Sequence, residues 1–396
     1  MSLSHACSFP SCSAQREKEA VADIGCLLNT LGRVPERRKA RGKFYPLVFI
    51  LAASLVAVLG GARTFQAITD QVRDFPQDLL KVLGGRWCYF GRRYRTPSER
   101  TIRNVFRGVD AEQLDQIMGA WLRVHARRSG GDVLSLAIDG KTLRGVRLDG
   151  GLHFTLFSAV IHREGVTVAQ VAVPTETKEI TQVDALLDQV EAGDKEQVII
   201  TMDAAHTQRE TAEYLAGNRG FDYVMTIKGN QPTLLKSVFE TVSPLLQNTP
   251  HYHVAEKGHG RISEWTTWIT DSTGIDFPHA RQAGCVRRDV FALDGVRIRR
   301  EYAWVITSRA EEKMTTADFH DHVRGHWSIE NKSHYVRDTT WREDAHIIVN
   351  QNAARAIATL RNISASLLRF HDHNNISRAT QWVCRKPARA LTILAT

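Results

Sequence analysis

Apolar residues along this 396-residue chain follow two rhythms, and the change from one to the other divides it. From about residue 20 to 127 the spacing is helical. Leu114, Ile117, Met118, Trp121 and Leu122 recur at i, i+3, i+4, i+7 and i+8, the stripe of one buried helix face. Upstream, Leu47 to Leu59 is continuously apolar apart from Ser54. That run is too short to cross a bilayer, so it predicts a buried helix. Pro97 and Ser98 predict the start and N-cap of a short helix carrying Ile102, Val105 and Phe106. Ser129-Gly130-Gly131 then breaks the helical rhythm and is the expected domain boundary.

Beyond it the runs shorten. Val133–Ile138, Phe154–Ile161, Val166–Val173, Val198–Met202 and Tyr223–Ile227 are apolar or alternating and bounded by Gly, Asp or charged residues, which predicts strands. Helical patterns over 181–191 and 208–217 lie between some of them. Strands alternating with helices predict an α/β layer with a partly parallel sheet. Residues 250–308 carry further strand-like pieces at Arg261–Ile269, Asp289–Leu293 and Tyr302–Thr307. Helix returns after Thr315, most strongly over Ala353–Phe370, built on Ile357, Leu360, Ile363, Leu367 and Leu368.

Composition narrows the class. At 43% hydrophobic and 24% charged the chain is an ordinary globular protein, and its net charge of +9 points toward a polyanionic partner, nucleic acid above all. The six cysteines (Cys7, Cys12, Cys26, Cys88, Cys285, Cys384) form no CxxC pair, so reduced thiols in a cytosolic protein are expected, without a disulfide framework or a zinc ribbon. Arg16, Glu17 and Lys18 precede any apolar run, so no signal peptide is expected.

The basic charge is concentrated. Residues 86–107 hold Arg86, Arg92, Arg93, Arg95, Arg100, Arg103 and Arg107 against the single acid Glu99, interleaved with Trp87, Tyr89, Phe90 and Tyr94. Residues 33–43 hold six Lys or Arg against Glu36 alone. Contact with phosphates explains such stretches, and a solvated loop of a basic protein is the alternative.

Three constellations could carry chemistry. In Leu136-Ala137-Ile138-Asp139-Gly140-Lys141 an apolar strand delivers a carboxylate to a sheet edge, where metal and phosphate sites of α/β proteins lie, although an Asp-Gly turn reads the same way. In Val198-Ile199-Ile200-Thr201-Met202-Asp203 a second strand ends likewise, although Asp203 could simply cap a following helix. Two such strands side by side would juxtapose two carboxylates, an arrangement that calls for a cation. Third, His326, Glu330 and His334 fall at i, i+4 and i+8 on one helix face, with Arg337 near it. Two imidazoles and a carboxylate could alternatively form a zinc site of their own, or the segment could be purely structural.

The segments AIDGKTLRG, ITMDAAHTQ, YVMTIKGNQPTLL, HGRIS and HWSIENKSHYVRDTTWREDA, in this order, resemble the motifs of bacterial insertion-sequence DDE transposases, in the branch that includes the H-repeat-associated proteins. Residues 24–122 are similar to that family's helical associated domain. The resemblance implies an α/β fold with a ribonuclease H-like catalytic domain over 132–375, interrupted by a β-rich insertion at about 245–312. A helical DNA-binding domain over 20–128 would precede it, with a disordered N-terminus over 1–19 and a basic C-terminal tail over 376–396. It implies Asp139, Asp203 and Glu330 as metal-holding acids and Arg337, seven positions after Glu330, as a further catalytic residue. The Tyr and Arg that precede the Glu in the broader group are replaced here by Val323 and His326.

The expected activity is Mg²⁺-dependent cleavage at element ends and strand transfer, with Mn²⁺ able to substitute. Asp139 would bridge two ions, each completed by Asp203 or Glu330. Arg92, Arg93, Arg95, Arg100, Arg103, Lys141, Arg144, Lys228, Asn230, His259 and Arg261 are the expected DNA contacts. The expected partners are double-stranded DNA, as terminal repeats and target, and a second copy of the chain; no membrane and no small-molecule cofactor are expected. The protein is expected to be cytoplasmic and nucleoid-associated. A repurposed DNA-binding copy, or a metal-dependent nuclease without strand transfer, remains the alternative.

Overall fold

The computed structural model describes residues 24–127, 133–146, 153–190 and 196–395. The expected disordered N-terminus, with Cys7 and Cys12, and the Ser129-Gly130-Gly131 boundary lie outside the described residues. The described residues form two compact units, one of those up to 121 together with those from 336 onward, the other of those between 122 and 335.

The first unit is helical and built around Leu47–Leu59, in which every side chain but Val48 is buried. This is the buried helix that the uninterrupted apolar run predicts. Helices Gly25–Gly32, Phe65–Arg73, Glu99–Gly108, Gln351–Phe370 and Ile376–Arg385 pack against it. Ser98 caps Glu99–Gly108 by accepting from the Thr101 amide, as its position predicts. Gln351–Phe370 is buried nearly all round, because it is shared by several neighbours rather than laid on one. The stretch 376–396, expected as a basic tail, instead contains helices Ile376–Arg385 and Arg389–Leu394, with Ile376, Val383, Leu391 and Leu394 buried. Apolar residues at helical spacing outweigh its Lys and Arg. Among the described residues no helix is long and apolar enough to cross a membrane. A two-stranded hairpin, β1 (Arg86–Cys88) and β2 (Arg93–Arg95), projects from this unit.

The second unit carries a nine-stranded mixed sheet of order β5-β4-β3-β6-β7-β11-β10-β9-β8. Its strands are β3 (Val133–Thr142), β4 (Thr155–Ile161), β5 (Thr167–Val173), β6 (Gln197–Met202), β7 (Asp222–Ile227), β8 (Tyr252–Gly258), β9 (Arg261–Asp271), β10 (Gln282–Ala292) and β11 (Arg297–Thr307). β3, β6 and β7 run parallel, and every other neighbouring pair is antiparallel. The fold is thus α/β, as expected from the alternating pattern.

The strands within the expected β-rich insertion do not stand apart from that sheet. β11 pairs with β7, Trp304 opposite Ile227, and continues it. One cluster explains the join: Ile199 and Val224 of the parallel strands share a core with Trp265, Val286 and Val305 of the antiparallel ones, closed by Met314 and Phe319. β8 and β9 are linked by His259 and Gly260, both at positive φ (51° and 71°), the signature of a two-residue type I′ turn.

Candidate active site

Register delivers the first two acids. Along the parallel pair Ala137 lies opposite Thr201, so two residues further Asp139 and Asp203 reach the same level. β3 does not end at Asp139, as its sequence suggests. It continues to Thr142 because β4 still pairs with it, Asp139 opposite Ser158. Only the partnership with β6 stops there, and this leaves one edge of β3 open where the acids sit.

The third acid arrives by helix. Thr315 and Asp318 form a reciprocal capping box that starts helix Thr316–His326. After Trp327 the backbone widens into a π-helical turn over Ile329–His334, a form frequent at functional sites. It carries Glu330 and His334 toward β3. The Nδ1 atom of His334 stands 3.2 Å from Glu330 Oε2 and 3.8 Å from Asp139 Oδ2. Asp139, Glu330 and His334 each offer a ligand atom within 4.8 Å of the others. Asp203 belongs to neither of the ligand groups found among the described residues, but it lines the same cleft of about 370 Å³ as Asp139, Glu330 and Lys228. Its Oδ1 accepts from the Ala205 amide at 3.0 Å.

The electrostatics match a cation site. Burial pushes the Asp139 carboxyl up to about 6, with His334 opposing and the charges of Asp203 and Glu179 adding to the rise. The hydrogen bond from His334 holds Glu330 below its ordinary value, against the effect of burial. One desolvated and one exposed carboxylate gathered round one imidazole fit a divalent cation of the oxygen-preferring kind.

His326 does not join Glu330 and His334. Its Nδ1 turns to Thr201 Oγ1 at 3.2 Å, and Thr201 meets His162 Nε2 at 2.8 Å. A His–Glu–His zinc stripe is therefore not formed. Burial holds both His326 and His322 down to about 4. Both stay neutral in the folded protein at pH 5–7, while the unfolded chain titrates near 6.5 and takes up protons that the fold refuses. Stability should thus fall on acidification, by roughly 2 kcal/mol per histidine between pH 7 and pH 5. Urea unfolding at both pH values measures this, and a His326→Gln variant should lose its share of the slope; a flat profile would refute the account.

The other expected residues fall in several places. Lys141 is buried on β3 and its charge helps lower Glu330, while Arg144 is exposed. Asn230 donates to the Ala204 carbonyl at 2.6 Å and so braces the turn after Asp203. His259 sits at the β8–β9 hairpin tip. Arg261 lines a wider groove of about 1040 Å³ that shares Glu330, Trp265 and Trp327 with the acidic cleft. Arg288, Arg299 and Arg324 line that groove too, and sequence reading missed them because they are spread over three elements. Acids temper them: Arg324 is held by Glu256 at 2.8 and 3.0 Å, and Arg299 by Glu301 at 2.5 Å.

In the helical unit, Arg92, Arg93, Arg95, Arg100 and Arg103 are all exposed on the β1–β2 hairpin and the helix after it. Phe90 at the hairpin tip is fully exposed and Tyr89 beside it nearly so. Arg337 is 1% exposed, and its Nε and Nη2 meet Glu343 Oε2 at 2.8 and 2.7 Å.

The family described as "Transposase DDE domain" matches residues 134–367, and the family described as associated with it matches residues 28–122. YncI of Escherichia coli O157:H7, named as a transposase, is 27% identical over 365 residues, covering 87% of this chain and 88% of that one. YhhI of Escherichia coli K12, named as an H repeat-associated transposase, is 29% identical over 360 residues, covering 86% of this chain and 90% of that one. A cryo-EM structure of a piggyBac transposase synaptic complex with hairpin DNA overlays with a TM-score of 0.41 and 9% identity, across 96% of this chain and 79% of that one, a likeness too slight to support more. With the family match spanning more than half of its length, the chain belongs to the DDE transposases and is an enzyme of that type.

Proposed function

We propose that this transposase cuts DNA at the ends of its own insertion sequence and joins them to target DNA, with Asp139, Asp203 and Glu330 as the acids that hold divalent cations. The observation that carries this reading is the convergence of the three on one cleft, with Asp139 desolvated and level with Asp203. The meander β5-β4-β3, extended by parallel β6 and β7 with acids on β3 and after β6, supports a ribonuclease H-like catalytic layer.

Cations bound there, Mg²⁺ or Mn²⁺, would activate the attacking oxygen and stabilise the leaving one. The chain's own residues prepare the site. His334 orients the Glu330 carboxylate, and Asn230 fixes the turn that presents Asp203. Lys228 is exposed at the cleft, where a scissile phosphate would meet its charge. Acting on two element ends calls for two copies of the chain, and a cytoplasmic, nucleoid-associated location follows from the substrate.

Incubating the purified protein with element-end and target DNA, in Mg²⁺ or in EDTA, tests the proposal. Joined products that vanish in EDTA support it. Cuts without joining would make the protein a nuclease, and retarded but intact DNA a binding protein.

The exposed arginines of the hairpin supply phosphate contacts in this reading. Replacing Arg92, Arg93 and Arg95 together by Ala should weaken duplex binding about ten-fold or more at 0.1 M salt. The slope of log affinity against log salt should flatten by about 3, near 0.9 for each phosphate released. An unchanged slope would remove these residues from the interface.

A further inference from the structure

Asp139 belongs to two ligand groups rather than one. Besides the group with Glu330 and His334, it forms another with Glu179 and His206, whose ligand atoms all lie within 4.8 Å of one another. Glu179 opens the short 3₁₀ turn Glu179–Gln182, and His206 sits in the turn after β6, its amide bonded to the Asp203 carbonyl at 3.2 Å.

Three features give this second group the form of a built site. His206 is 2% exposed, and among the described residues neither of its ring nitrogens has a hydrogen-bond partner. Its Nε2 lies 3.2 Å from Glu179 Oε2 without hydrogen-bond alignment, while the Phe157 ring stacks on the imidazole at 5.0 Å and 26° and fixes its plane. Glu179 also lies so close over Gly140 that a Cβ there would come within 1.8 Å of its Oε1, so the carboxylate occupies space that only glycine leaves open. A simple Glu179–His206 ion pair would bury a charged ring. A neutral ring whose Nε2 lone pair faces a cation carries its proton on Nδ1 and avoids burying that charge. Glu179 remains partly open to solvent, which gives an ion a way in.

We propose that Glu179 and His206 add ligands to the divalent-cation position that Asp139 and Asp203 share, separate from that at Glu330 and His334, and that Asp139 bridges the two. It rests on the reading of Asp139 and Asp203 as metal-holding acids. Carboxylates suit Mg²⁺ and Mn²⁺ alike, whereas an imidazole favours the transition ion. This position therefore prefers Mn²⁺.

Counting bound Mn²⁺ by electron paramagnetic resonance, on the full chain without DNA, tests the assignment. The wild type should hold two Mn²⁺ per chain. Glu179→Gln and His206→Gln should each weaken one of them ten-fold or more, Glu330→Gln should weaken the other, and Mg²⁺ should displace the Glu179–His206 ion at least ten-fold less readily than Mn²⁺ does. Gly140→Ala provides a variant that touches no ligand: it displaces Glu179 and should weaken the same ion alone. Circular dichroism confirms that each variant is folded.

Two Mn²⁺ held with unchanged affinity in Glu179→Gln, His206→Gln and Gly140→Ala would overturn the proposal, and so would a single Mn²⁺ in the wild type that all three leave intact. Equal displacement by Mg²⁺ would overturn the preference. The triad fails separately: if Glu330→Gln still cleaves DNA while Glu179→Gln loses its ion, the catalytic reading falls and this position stands. If Glu330→Gln is dead and Glu179→Gln keeps both ions, the reverse holds.

Discussion

Replacing Asp139 by Asn is expected to reduce metal-dependent cleavage of element-end DNA by about 10³-fold or more while making the metal-free protein more stable. The two effects share one cause. Asn keeps the shape of the side chain but not its charge, and Asp139 belongs to both ligand groups, so the loss reaches the whole cation site. Losing several kcal/mol of charge stabilisation at the reacting phosphate corresponds to a rate loss of that size.

The stability effect has the opposite sign. Burial raises the Asp139 carboxyl to about 6, so the folded state holds the proton more tightly than the unfolded chain does. Stability contributed by the protonated form is present at pH 4 and lost as the pH rises through 6. Above that pH the ionised carboxylate opposes folding by roughly 3 kcal/mol at most. Asn removes this penalty, so its stabilising effect should appear in urea unfolding at pH 7.5 and vanish at pH 4. DNA binding through the arginines should be unchanged. Normal cutting by the variant would sink the catalytic assignment, and equal stability at both pH values would sink the desolvation account.

The second large effect lies in the helical unit. Glu343 accepts from Arg337 through one carboxylate oxygen and from Arg361 Nη1 through the other at 2.8 Å, and all three side chains are buried. Arg361 also donates to the Arg63 carbonyl at 3.0 Å. Burial lowers the Arg361 guanidinium, and Glu343 counteracts this. Glu343→Gln would leave two buried cations without the carboxylate that both bond, with only the more distant charge of Asp338 to oppose them. It should cost about 3–5 kcal/mol of folding free energy, read from urea unfolding of the full chain. The triple replacement Arg337→Met, Glu343→Leu, Arg361→Met should recover most of that loss, because it removes all three of these buried charges. Were Arg337 engaged only in catalysis, Glu343→Gln would leave the unfolding curve where it was.

Arg337 shows what a linear pattern conceals. Its place seven residues after Glu330 marks it in the sequence, but its burial and its partner depend on a helix turn further on and on Arg361. The strand runs, the buried helix Leu47–Leu59 and the Ser98 cap were legible because each depends on neighbours within a few residues. The level alignment of Asp139 and Asp203 was legible only in outline, since it needs the parallel register of β3 and β6. What the sequence hid is long-range. The antiparallel partner that carries β3 past Asp139, the joining of β11 to β7 and the turning of His326 to Thr201 all link residues far apart in the chain. Glu179 carried no signal, since a lone Glu after a Lys reads as surface. His206 had one, an imidazole three residues after a strand-end Asp, but nothing local says which way it faces.

The central helix Leu47–Leu59 has a temporal consequence. The helix Gln351–Phe370 that packs against it lies some 290 residues later in the chain. At 5–20 residues per second, synthesis leaves the earlier helix without that neighbour for roughly 15–60 s. During this interval a segment that is apolar apart from Ser54 is held by its nearer neighbours alone, exposed to chaperones and to other nascent chains. Maturation of the helical unit is thereby tied to synthesis of Gln351–Phe370, and a ribosome that stalls before it releases a product whose most apolar helix lacks that neighbour.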